Sequence, residues 1–279
     1  MPLLELDVHV GRPLVRGGLT LFPVWNGRAV TSRGYDVHSP AVQVQELAAG
    51  PSVGQLVVGN AGPRPVLVLE GELLEGGHQH RVLERSAVVE AGASVPLPVS
   101  CVEQGRWHGG RVHERGGRRA PTNVRAAADQ SRVWQEVGRF EDAYAASPTH
   151  SYLDAVAPAV GRAEDLVRGV RPLPFQSGLL AGVGGQPLLL EVYDSPRTLA
   201  AVWSGLLQAL AVDALSAEQV PTPGRRARRF VDRVTAGGVA ADGDHLRGRS
   251  PYAQVDSLVW RRRLVHTVAL NRRHDLVAA

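Results

Sequence analysis

The chain has 279 residues, 44% hydrophobic and 21% charged, a balance that builds a folded core and excludes a disordered polar chain. All 31 cations in its Lys+Arg count are arginine, which excludes Schiff-base and pyridoxal phosphate chemistry, lysine aldolases, P-loop nucleotide binding and protein kinase activity. The net charge of +4 is only mildly basic, and the pI of about 9.8 partly reflects the high pKa of arginine.

The first half carries strand signals. An apolar run over Leu19–Trp25 follows Gly17-Gly18. Runs over Gln55–Val58 and Pro65–Leu69 flank Gly59-Asn60-Ala61-Gly62, which predicts a hairpin. Further short runs, Arg81–Glu90 and Val95–Val102, are separated by Ala91-Gly92-Ala93. Gly105–Pro121, with Gly109-Gly110, Gly116-Gly117 and Arg111, Arg115, Arg118 and Arg119, predicts an exposed loop. A helix is expected from Pro121-Thr122-Asn123 through the stripe Val133, Val137, Phe140 and Tyr144, and another from Ser147-Pro148 to before Pro158.

Ser177–Val183, Gly184-Gly185-Gln186 and Pro187–Tyr193 predict a second hairpin that echoes the first, with Pro65 and Pro187 in corresponding places. Ser195–Leu215 carries the clearest helix pattern: Ser195 suits the N-cap, Pro196 the first helical position, and Leu199, Trp203, Leu206 and Leu210 share a face. A fourth helix is expected over Pro223–Ala236, ending at Gly237-Gly238. Ser257–Leu270 reads as two strands joined by a turn at Arg261-Arg262-Arg263.

These elements predict an α+β, β-dominated protein of sandwich-like or curled antiparallel sheets with about four flanking helices, with room for two diverged β-rich halves. The expected organisation is a single domain over 1–279, with sub-halves 1–120 and 121–279. One cysteine permits neither an internal disulfide nor a four-cysteine zinc site. Met1–Val10, with Glu5 and Asp7, lacks a signal-peptide pattern, and no apolar run approaches the roughly 18 residues of a membrane span. A cytoplasmic protein without a membrane partner is the expectation.

Chemistry concentrates in EGELLEGGHQHR, Glu70–Arg81, and in CVEQGRW, Cys101–Trp107. His78 and His80 are two apart and would share one side of a strand, with Glu84 four residues on, which approximates a cupin-like divalent metal motif. The plainer reading is a pair of exposed histidines beside a Gly-Gly turn. Cys101, with Glu103 and His108 close in sequence and Arg106 to lower its pKa, has the parts of a nucleophile, orienter and base; a lone cysteine at the end of a strand is more often a small core residue. Glu70 and Glu72, with Arg81 and Arg106, suit bidentate pairing, either as an ion-pair network or around a phosphate or carboxylate ligand. Arg225, Arg226, Arg228, Arg229 and Arg233 share one predicted helix and suit phosphate contact with nucleic acid, although no helix-turn-helix, RNA-binding or zinc-finger pattern accompanies them.

The order EGELLEGGHQHRVL, a strand, then PVSCVEQGRW resembles the ARG-and-rhodanese-phosphatase-superfamily-associated protein domain, a bacterial family of unknown activity. Glu70, Gly71, Glu72, Gly76, Gln79, Arg81, Cys101, Glu103, Gly105, Arg106 and Trp107 match its pattern. His78 and His80 depart from it, since the family has polar non-histidine residues around the glutamine. The family's name associates it with ADP-ribosylglycohydrolases and a rhodanese-like phosphatase, which implies a role near NAD or ADP-ribose. The resemblance thus points to a small phosphorylated or nucleotide-type ligand, ADP-ribose or NAD among them. The candidate ligand-binding residues are Glu70, Glu72, Gln79, Arg81, Cys101, Glu103, Arg106 and Trp107, with the arginines on pyrophosphate and Trp107 stacked on adenine.

Overall fold

A computed structural model describes residues 6–278. The reading of Met1–Val10 as lacking a signal pattern falls in part on residues 1–5, outside the described residues. The chain opens with β1 (Val8–Val10), β2 (Leu14–Arg16) and β3 (Leu19–Asn26). Next come β4 (Val42–Gln45), β5 (Gln55–Asn60), β6 (Val66–Val68), β7 (Glu72–Gly76) and β8 (Arg81–Leu83). They lead into β9 (Ala87–Val89), β10 (Ser94–Cys101) and β11 (Val112–Arg119). Three helices follow, α1 (Thr122–Ala126), α2 (Gln130–Ala143) and α3 (Tyr152–Leu166), then β12 (Gly178–Val183) and β13 (Gln186–Tyr193). The chain continues through α4 (Pro196–Ala214), α5 (Gly224–Thr235), β14 (Ala240–Asp242) and β15 (His245–Arg249). It ends with β16 (Ala253–Trp260), β17 (Arg263–Asn271) and α6 (Asp275–Ala278). The fold is α+β, β-rich and antiparallel, as the sequence pattern predicts. No helix among the described residues is long and apolar enough to cross a membrane.

Two compact units divide these elements. One, the sheet unit, gathers Met1–Arg33, Leu166–Trp203 and Asp213–Ala279. Its strands form a nine-stranded sheet in the order β1-β3-β12-β13-β17-β16-β15-β14, with β2 also on β3. Leu19–Val24 of β3 is buried on both faces, which suits a central strand. Pro23 is tolerated there because β1 pairs with Val24–Asn26 and β2 with Leu19–Leu21, so its missing N–H falls between the two ladders. The predicted β12–β13 hairpin is present. Its turn, Gly184-Gly185, has φ of 55° and 81°, the geometry in which only glycine is unstrained. At the β16–β17 turn Arg261 and Arg262 take the same left-handed conformation without being glycine, at φ of 49° and 64°. The apolar face of α5 (Ala227, Phe230, Val231, Val234) packs on Phe22, Val24, Leu180, Leu190 and Val192.

The other, the barrel unit, holds Gly34–Asp165 and Ser204–Val212. Six short strands close a barrel in the order β10-β5-β4-β11-β7-β8. Val44, Leu56, Val58, Leu74, Leu83, Leu97 and Val99 fill it, joined by Val68 and Val89 from the small β6–β9 sheet. A barrel this small is packed solid by its own side chains.

Four expectations are corrected here. The runs around Gly59–Gly62 are not a hairpin: β5 pairs with β4 and β10, while β6 pairs with β9. Asn60 causes the divergence. Its buried amide donates to the carbonyls of Arg64, Val89 and Glu90, and its Oδ1 accepts from Gly62 N–H, so the chain is turned toward β9. The likeness to the β12–β13 segment therefore does not extend to pairing. The expected loop over Gly105–Pro121 is in its second half the strand β11, with a register shift between Arg115 and Arg119 that absorbs Gly116-Gly117. The helix expected from residue 121 is two, because Asp129 caps α2 through Arg132 N–H. Pro158 lies inside α3 and does not end it.

Asn60→Ala should lower barrel stability by about 2–3 kcal/mol, since it leaves buried carbonyls without donors. Urea denaturation followed by circular dichroism measures this, and an unchanged midpoint would contradict the role given to Asn60.

Candidate functional site

The eight candidate residues form two constellations in the barrel unit. The first ties β7 to β11 and α1. Glu70 accepts from Arg125 Nε and Nη2 at 2.9 and 2.6 Å and from Arg119 Nη2 at 3.2 Å. Glu72 accepts from Arg115 Nε and Nη2 at 2.8 and 3.0 Å. Arg115, Arg119 and Arg125 were not among the candidates; the alternation of arginines opposite a Glu70-x-Glu72 pair was the only sequence signal for them. Gly71 sits under Arg125, where a Cβ would lie 2.8 Å from Arg125 Nε.

The second constellation surrounds the β7–β8 turn and the end of β10. Gly76 and Gly77 make the turn with φ of 96° and 56°. A Cβ on Gly77 would sit 2.0 Å from His113 Nε2. His78 and His80 therefore lie in a turn and not side by side on a strand. His80 Nδ1 accepts from Gly76 N–H at 2.9 Å and its Nε2 faces Glu103 Oε2 at 3.6 Å, while His78 tilts against the Trp107 ring at 5.8 Å. Glu84 is exposed and accepts from Ser100 Oγ. Among the described residues no group of three or more His, Cys, Asp and Glu side chains is placed to hold a metal ion.

Glu103 and Arg106 are paired with each other. Arg106 Nε and Nη2 donate to the two Glu103 oxygens at 2.8 and 2.7 Å, and Arg106 also donates to the carbonyls of Gly76, Gly77 and His108. Glu103 further accepts from His80 N–H and Thr149 Oγ1, both at 2.9 Å. Burial would raise its carboxyl, but the hydrogen bonds from Arg106, His80 and Thr149 hold it below its ordinary value. This pair staples the loop after β10 onto the β7–β8 turn.

Cys101 is wholly buried. Its Sγ contacts Gln79 Oε1 at 3.2 Å and Glu103 O at 3.1 Å, and its backbone is clasped by the Gln130 side chain of α2. Burial pushes its thiol up despite the nearby Arg81. Among the described residues no histidine reaches its sulfur, and His108 lies on the exposed loop.

Arg81 stands apart from the other arginines of this unit. It is 0% exposed, and burial pushes its guanidinium below the ordinary value. Its Nη1 donates to Gln79 Oε1 at 3.2 Å, with long contacts to the carbonyls of His80 and Ser52 at 3.5 Å, and among the described residues no carboxylate lies within ion-pair reach. Its Nε has no hydrogen-bond partner among the described residues. Three other buried polar atoms nearby share that condition: Glu46 Oε2, His78 Nδ1 and His113 Nδ1. Glu46 Oε1 links them, taking His113 Nε2 and His78 N–H at 3.2 Å each. Trp107, 47% exposed, lies 5.8 Å from the Arg81 guanidinium. A small, largely apolar cleft lined by Leu73, Tyr152, Leu153 and Val156 includes none of these residues.

The family model for the ARG and Rhodanese-Phosphatase-superfamily-associated Protein domain matches residues 7–270, nearly the whole chain. The chain belongs to this family. No curated relative and no solved structure matches it. In this member of the ARG and Rhodanese-Phosphatase-superfamily-associated Protein family, the two motif segments Glu70–Arg81 and Cys101–Trp107 meet through β8–β10 pairing, with Arg81 directly opposite Cys101.

Glu103→Gln leaves Arg106 without its carboxylate and should cost about 3 kcal/mol at neutral pH. His80 and His113 are both lowered by burial, so the stability they confer is complete above about 6.5 and fades as pH falls below it. Glu103 is also lowered, so its contribution is complete above about 4.5 and is lost as pH falls through its folded value. Urea titrations from pH 8 to 3 should show both stages in the unaltered chain and a smaller lower stage in Glu103→Gln, since Glu141 is also held below its ordinary value.

Proposed function

We propose that the barrel end around Arg81 and Trp107 binds a small phosphorylated or nucleotide-type ligand. The observation that carries this reading is Arg81: a wholly buried guanidinium that has, among the described residues, no carboxylate in reach and no partner for its Nε–H. Holding a buried cation unpaired costs several kcal/mol, which an anionic ligand oxygen would offset. The neighbouring atoms define the rest of the ligand. Glu46 Oε2 takes a hydroxyl hydrogen, and His78 and His113 Nδ1 donate or accept according to tautomer. An anion that also carries hydroxyl groups, such as a phosphorylated ribose, satisfies this set better than a bare anion. Trp107 offers an exposed face for stacking a base beside the Arg81 guanidinium. Gln79 and Cys101 line Arg81, and the Glu103–Arg106 pair holds the loop that bears Trp107. Glu70 and Glu72 support the site by fixing β7 against β11. ADP-ribose and NAD combine these features and accord with the association in the family's name.

Thermal unfolding with ADP-ribose, NAD and inorganic phosphate tests the reading. A ligand at a hundred times its Kd adds about 2.7 kcal/mol. Trp107→Ala, at an exposed position, should keep the fold and weaken binding about tenfold, the order expected for losing one stacked base. Absence of stabilisation by all three compounds would sink the proposal.

A further inference from the structure

The net charge of +4 conceals a division between the two units. The sheet unit carries 19 arginines against 11 acidic residues, a net +8, and the barrel unit 12 against 16, a net −4. The arginines of α5 differ from the paired arginines of the barrel unit. In the barrel unit Arg64, Arg106, Arg115, Arg118, Arg119, Arg125, Arg132 and Arg139 all meet carboxylates. On α5 of the sheet unit, Arg225, Arg228 and Arg229 are exposed and meet none among the described residues.

The helix arranges these cations in a ridge. Ala227, Phe230, Val231 and Val234 are buried, so the helical period turns Arg225, Arg228 and Arg229 outward together. Arg225, Arg229 and Arg233 follow at four-residue steps, roughly 6 Å apart along the axis. Arg233 continues the row onto the Tyr252 ring at 4.1 Å, where Arg273 stacks at 4.2 Å. The first turn of α5 holds no acidic residue and its N-cap makes no side-chain bond. Cations at that end oppose the helix dipole, so the arrangement is unfavourable until an anion approaches.

We propose that this ridge is a nucleic-acid-backbone surface. Successive guanidiniums at a fixed helical spacing suit a polymer of regularly spaced phosphates. A membrane surface fits less well, because insertion needs an apolar face and that of α5 is already buried in the sheet unit. Readout is by charge, without base recognition, since the outward face bears arginines and Asp232 alone.

Fluorescence anisotropy of a labelled 20-nucleotide single strand and of its duplex, measured across a salt series, tests the proposal. The expected result is binding that weakens with salt. Changing Arg225, Arg228 and Arg229 together to glutamine should reduce affinity at least tenfold and lower the slope of log K against log salt by about 2 on single strands. Arg64→Gln, an exposed arginine of the barrel unit, should leave both unchanged. Circular dichroism confirms the fold of the triple variant. Failure of both nucleic acids to bind at 50 mM salt, or an unaltered slope in the folded triple variant, would overturn the proposal. So would poly-glutamate that binds as tightly with the same slope, which would assign the ridge to an acidic protein.

Discussion

Closure of the six-stranded barrel is the constraint from which the rest of its unit follows. Strands of three to eight residues hold a ring only if every edge finds a partner, and β11 is the strand that joins β4 to β7. It does so with a sequence that has little strand character. Gly116-Gly117 is accommodated in a register shift, and Arg115 and Arg119 on either side reach Glu72 and Glu70. These ion pairs act as register marks: removing one partner leaves a buried charge, so slipped pairings are penalised more heavily than the native pairing is favoured. With β7 so placed, its far end turns through Gly76-Gly77 into β8, and Arg81 arrives opposite Cys101.

How much of this was legible depends on whether the signal was local. The β12–β13 hairpin, α4, α5 and the Arg261-Arg262 turn were readable because a glycine pair, an N-terminal proline or a helical stripe lies within a few residues of the element it specifies. The barrel strands were harder. Asn60 looks like a turn residue, yet its side chain bonds to carbonyls as far as 30 positions away. Arg115 and Arg119 look like loop cations because their carboxylates lie more than 40 positions back. Pro158 looks like a helix end, but α3 continues through it. In the motif, residue identity was informative and partnership was not: Arg81 and Arg106 were equally available to the carboxylates, and only the fold gives Glu103 to Arg106 and leaves Arg81 with Gln79.

A chain without lysine must give arginine every cationic task, and the two units divide those tasks. Inside the barrel unit the planar guanidinium is structural, bridging carboxylates and backbone carbonyls at several points at once, as Arg106 does. In the sheet unit Arg247 and Arg263 also meet carboxylates, but others are displayed on α5 or stacked on Tyr252 and Trp260. Arg81 belongs to neither group. It is as buried as the structural arginines and as unpaired as the displayed ones.

The position of Cys101 gives the molecule an internal clock. The thiol is the sole cysteine, and it is sealed where β10 meets β8 beneath the Gln130 clasp. A thiol reagent reaches it only in molecules whose β8–β10 ladder has come apart. The rate of its modification in native buffer thus reports the population of opened barrels, or their rate of opening when the reagent outpaces reclosing, and its dependence on denaturant separates local parting of those two strands from unfolding of the whole ring.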